Sequence, residues 1–82
     1  MASRTRRLSC IVLRRTKLAE QDLILTMLAA SGEEVRAVAK GARRPGGRLA
    51  SRSELFSEVD LLLAKGRGTL EIVSEATLVD AH

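Results

Sequence analysis

Apolar residues in this chain gather in short runs separated by turn signals. Leu8–Leu13 is the first run. Its branched residues Ile11 and Val12 favour extended backbone, which predicts a strand over about residues 5–16. Residues 17–30, KLAEQDLILTMLAA, are ambiguous. Leu18, Leu25 and Leu28 sit near helical spacing with Gly32 as a stop, whereas Leu23, Ile24 and Met27 fall off that stripe. Helix and strand fit this segment equally. Ser31–Glu34 is a turn signal. In the next segment, EVRAVAKGAR, Arg36, Val38 and Lys40 share one face and Val35, Ala37 and Ala39 the other, the period of a strand. Residues 43–53, RRPGGRLASRS, hold the only proline and a Gly-Gly pair, and are a loop. EVDLLLAKG is a short apolar run, the mark of a buried strand. GRGT at 66–69 is a tight turn, and residues 69–78 alternate in part, so the last two strands form a hairpin. Counting 17–30 as extended gives five strands, with one long basic loop between the third and the fourth. Counted so, the pattern is all-β.

The chain has 82 residues, enough for one domain with a thin core. Phe56 is its only aromatic residue, and its place beside VDLLL points to the core. Cys10 stands alone, so no internal disulfide is possible, and it reads as a buried small hydrophobe. With His82 it makes two soft ligands, too few for structural zinc. The expectation is a domain that folds without metal or cofactor. No run approaches the roughly 18 apolar residues of a membrane span, and no signal peptide is visible. A soluble, cytoplasmic, nucleoid-associated protein is expected.

Charge sharpens this picture. Residues 1–52 hold 12 Lys and Arg against 4 Asp and Glu, while residues 53–82 hold 2 against 6. From Arg36 to Arg52 there are six basic residues and no acid. A solvated surface usually mixes both signs. Cations clustered in one half instead suit a polyanion, and arginine forks grip phosphate oxygens in pairs. The residues expected to meet phosphate are Arg14, Arg15, Arg36, Lys40, Arg43, Arg44 and Arg48. With one aromatic there is no stacking platform of the usual kind. Binding is expected to be electrostatic, directed to the backbone and tolerant of sequence. The acidic 53–82 segment closes the barrel and faces away from the nucleic acid.

Catalysis lacks parts. The only histidine, His82, is the terminal residue. Glu33 and Glu34 lie in a turn, and Glu71 and Glu75 on a solvated strand face. No enzymatic role is expected. The loop GARRPGGR lacks the Lys-Ser/Thr of a phosphate-binding loop, and its glycines, like those of GRG, read as turn residues with positive φ.

AVAKGARRP, residues 37–45, resembles the N-terminal domain of the bacterial recombination mediator RecO. The opening CIVLRRTKLAEQDLILTML resembles that family's first two strands: an IVLR run, a Leu-Gly-Glu stretch, an Asp and a Thr-containing apolar strand. FSEVDLLLAKGRGTL, residues 56–70, resembles its fourth strand and the turn into the fifth. The resemblance covers about residues 8–78. Ala19 stands where the family usually has Gly, and Leu55 where it usually has Pro. The resemblance implies an oligonucleotide-binding (OB) fold, a five-stranded, partly open Greek-key barrel, and tips residues 23–30 towards strand. It implies a protein that binds single- and double-stranded DNA, anneals complementary strands and takes part in recombinational gap repair and the DNA damage response, with RecR and single-strand-binding protein as partners. Arg36, Lys40, Arg43 and Arg44 match the family's basic third strand and loop, and Arg14 and Arg15 the end of its first strand. The family continues into a helical domain, which implies that residues 1–82 form one domain of a longer protein. An RNA-binding barrel has the same fold and charge, and a second alternative is a barrel that docks RecR, with the charge serving that interface.

Overall fold

A computed structural model describes residues 5–43, 54–66 and 68–81. Five strands make up the fold: β1 Thr5–Lys17, β2 Leu23–Ala29, β3 Glu34–Ala39, β4 Ser57–Lys65 and β5 Glu71–Ala81. They close into one barrel in the order β1-β2-β3-β5-β4, the OB-type arrangement expected. All neighbours are antiparallel except β3 and β5, which run parallel. Closure needs β1 to serve two partners. Its first half, Thr5–Ile11, pairs with β4, and Cys10–Lys17 pairs with β2. A bulge lets the strand bend between them: Val12 pairs with Met27 and Arg14 with Thr26, leaving Leu13 as the extra residue.

Residues 23–29 are strand, and period two accounts for them. Leu23, Leu25, Met27 and Ala29 are buried, while Ile24 and Thr26 are half-buried and Leu28 is exposed. The apparent helical stripe was accidental, because two of its three members, Leu18 and Leu28, lie exposed. The same rule organises β3, with Val35, Ala37 and Ala39 inside, and β4, with Ser57, Val59, Leu61 and Leu63 inside. On β5 the alternation is broken by two further bulges. Leu62 pairs with Glu75 but Leu63 with Val73, and Glu58 with Asp80 but Val59 with Leu78. Ser74 and Val79 are the extra residues, which is why the sequence of this strand alternates only in part.

Phe56 corrects an expectation. It is not core but 56% exposed. The phase of β4 puts Ser57 inside, so its predecessor must point elsewhere. The Phe56 backbone also has φ +64, left-handed and uncommon for a bulky residue. Such a conformation costs about 1–2 kcal/mol. It is held by the Phe56 N–H, which donates to the Val12 carbonyl at 2.7 Å.

The β1–β2 turn and the segment after β3 clasp each other. The Asp22 carbonyl accepts from the Leu18 and Ala19 amides, closing the turn. Ala19, in place of a family glycine, does so without a positive φ. The Asp22 side chain accepts the Gly41 N–H at 2.8 Å, and Gly41 itself needs φ +75. The Arg43 N–H donates to the Gln21 carbonyl, and Arg43 Nη1 donates to the carbonyls of Ala19 and Glu20. Asp22→Ala leaves the Gly41 amide without this acceptor, so a loss of about 1–2 kcal/mol is expected. A thermal melt should show a midpoint lowered by roughly 4–8 °C per kcal/mol. An unchanged midpoint would mean that the clasp adds nothing.

Candidate nucleic-acid interface

Register, more than chain order, decides which cations meet. Arg14 of β1 pairs with Thr26 of β2, and Thr26 pairs with Arg36 of β3. The three residues form one row across three strands, on the outer face. Arg36 points outward because Val35 and Ala37 point in, and Thr26 because Leu25 and Met27 do. Arg14 joins them because the bulge at Leu13 resets the phase of β1. Strands lie about 4.8 Å apart, so the two arginine backbones stand about 10 Å apart across the row. A groove of about 350 Å³ runs here, lined by Leu13, Arg14, Thr16, Thr26, Glu34 and Arg36. Among the described residues, neither arginine is engaged in an ion pair. Two guanidinium forks and two hydroxyls can grip phosphate oxygens here. Glu34, two residues from Arg36 on the same face, opposes that.

The other expected cations fare differently. Arg15 pairs with Leu25, so it leaves β1 on the side opposite Arg14. It is nonetheless exposed, because β1 has parted from β4 by then. Lys40 is exposed in the turn beyond β3, not on the strand. Lying past the end of β3, Lys40 extends the site beyond the row instead of thickening it. Arg43 is exposed, but its Nη1 is committed to the β1–β2 turn. Its first role is to hold that turn. Arg44 and Arg48 lie outside the described residues.

Thr16 and Thr26 were not foreseen as site residues. Once 23–29 is strand, alternation alone places Thr26 outward. Arg6 shows the opposite case, a cation that charge counting credits to the site but geometry removes. It forks onto Glu71, with Nη2 at 2.6 Å and Nε at 3.0 Å, and reaches Glu33 through Nη1 at 3.2 Å and Nη2 at 3.1 Å. These bonds raise the Arg6 pKa above its ordinary value, the Glu71 bond most. The same guanidinium holds the Glu33 carboxyl below the usual carboxylate range. Glu71 is therefore half-buried and paired with Arg6, not on a solvated face as expected, while Glu75 is exposed as expected. Burial raises the Cys10 thiol pKa, in line with a core role.

Charge is unevenly spread around the barrel, with exposed Glu34 on β3 and exposed Lys65 on β4 as exceptions to the division. β1, β2 and β3 are contiguous and carry Arg14 and Arg36 outward. β4 and β5 are contiguous and carry Asp60 and Glu75 exposed, with Asp60 accepting the Ser9 hydroxyl at 2.8 Å. Among the described residues there is no group of three His, Cys, Asp or Glu arranged to hold a metal ion. No described helix is long and apolar enough to cross a membrane.

The family model described as "Recombination protein O N terminal" matches residues 1–82. The chain belongs to this RecO N-terminal family. It is 49% identical over 72 residues to the DNA repair protein RecO of Bifidobacterium longum subsp. infantis, covering 88% of this chain and 30% of that protein. The DNA repair protein RecO of Bifidobacterium adolescentis is 49% identical over 72 residues, 88% of this chain and 29% of the relative. That of a Nocardioides species is 52% identical over 68 residues, 83% of this chain and 28% of the relative. The chain thus spans under a third of the length of these relatives. As a RecO N-terminal sequence it is part of a DNA repair and recombination family, and the all-β barrel agrees with the fold implied by the resemblance.

Proposed function

We propose that this chain is the DNA-binding barrel of a recombination mediator. It holds the phosphate backbone of single- or double-stranded DNA along the Arg14–Thr26–Arg36 row, during strand annealing and recombinational gap repair. The observation that carries this reading is the groove itself: two arginines outside any described ion pair converge, across three strands, on a face from which the exposed carboxylates of β4 and β5 are absent. The naming of the relatives as DNA repair proteins supports the same reading. The domain acts by binding and not by catalysis, in the cytoplasm on nucleoid DNA. Within the whole protein it works with RecR and single-strand-binding protein.

A titration of fluorescent single-stranded DNA at several salt concentrations tests this. If about four phosphates are neutralised, log K falls with log salt at a slope near −3. A salt-independent signal would contradict phosphate binding, and RNA outcompeting DNA of equal length would redirect the reading to an RNA-binding barrel. Glu34 provides an internal check. Its carboxylate lines the groove, so Glu34→Gln should tighten binding about two- to fivefold, the size of one screened surface charge contact. Unaltered affinity would mean that the strand does not pass Glu34.

A further inference from the structure

Phe56 is the chain's only aromatic residue, and it is exposed. A large apolar side chain set outward on a left-handed backbone calls for an explanation, because such outliers concentrate where ligands are held. Its surroundings supply one. The Phe56 N–H is bonded to the carbonyl of Val12 at 2.7 Å. The next residue, Leu13, is the bulged residue that begins the lining of the basic groove. β4 pairs with β1 only as far as Ile11–Glu58, so Phe56 takes up the flank of β1 where β4 has left it. Across the barrel the order is therefore Arg36 on β3, Thr26 on β2, Arg14 and Leu13 on β1, then Phe56.

We propose that Phe56 stacks against an unpaired nucleobase of a single strand whose phosphates lie on the Arg14–Thr26–Arg36 row. The proposal rests on the reading of that groove as a nucleic-acid site. Stacking supplies what the arginines do not. It is non-electrostatic, it tolerates sequence because every base has a π-face, and it favours single strands, whose bases are free. Phe56 lies outside the core phase that Ser57 occupies, and its backbone is held on the β1 flank. One aromatic residue, together with a basic row, suffices for a backbone-directed binder with a preference for unpaired DNA.

Two variants of the full chain test this. The sequence has no Trp or Tyr, so Phe56→Trp introduces the sole indole. Its emission should be quenched by oligo(dT), and left unchanged by an abasic oligomer of equal length that binds with the same salt slope. Phe56→Asn places a residue tolerant of the left-handed backbone. It should keep the thermal midpoint, weaken single-strand binding about tenfold without changing the salt slope, and leave duplex binding unaltered. Equal single-strand affinity of Phe56→Asn and the parent, or an indole emission that oligo(dT) at saturation does not change, overturns the stack while the groove reading stands. Absence of any salt-dependent binding by the parent overturns both.

Discussion

Leu63→Ala is expected to cost about 3 kcal/mol, a large part of the roughly 4–12 kcal/mol that a domain of this length commands. Leu63 is fully buried towards the C-terminal end of β4. Its register places it between Arg6 of β1 and Val73 of β5, so it fills the barrel where two seams meet. Truncation removes the transfer free energy of the side chain and leaves a cavity that a closed sheet cannot collapse to fill. The core offers few substitutes, being built from aliphatic residues, Met27 and Cys10. Leu62, next in sequence but on the outer face and half-buried, is the control: Leu62→Ala should cost under about 1 kcal/mol. Urea unfolding should show a lower midpoint for Leu63→Ala at unchanged slope. Equal losses at the two positions would contradict the assigned alternation.

Most of the barrel was legible from period-two patterning and turn residues. The strand limits of β1 and β4 follow from it closely, whereas the pattern carried β3 on to Lys40, which lies in the next turn, and put Glu34 in a turn although it opens β3. The β4–β5 hairpin follows as well, with Gly68 at the positive φ expected of a turn glycine and Gly66 without it. Residues 17–30 were not legible from pattern. Leu18 and Leu28 mimic a helical stripe while sitting outside the core, and only the family resemblance tipped the segment towards strand. Bulges are invisible to a periodic reading, so the outward phase of Arg14, set by Leu13, and the irregular alternation of β5 emerge only from the register. Of the expected phosphate contacts, Arg14 and Arg36 come together. Arg15 leaves on the other face, and Arg43 is bound to carbonyls of a turn distant in sequence. Pairings between residues far apart in the chain decide both outcomes, as they decide the loss of Arg6 to Glu33 and Glu71. Phe56 was misplaced because its apolar character argued for the core, whereas it lies outside the core phase that Ser57 occupies.

The double variant Arg14→Ala/Arg36→Ala removes both forks of the row and leaves the core untouched, since both side chains are exposed and outside any described ion pair. Two fewer phosphates would then be neutralised. On single strands each contributes about 0.7 to the salt slope, so the slope should flatten by about 1.4. Near 0.1 M salt, affinity should fall roughly ten- to thirtyfold, alike for all sequences. Arg6→Ala is the matched control, because that guanidinium already serves Glu33 and Glu71. It should leave the slope as it was. The most direct test of the DNA-binding groove is therefore the slope of log K against log salt for the parent, Arg6→Ala and Arg14→Ala/Arg36→Ala, measured with one single-stranded oligonucleotide. The account predicts about −3 for the first two and about −1.5 for the third. A single common slope for all three would contradict it.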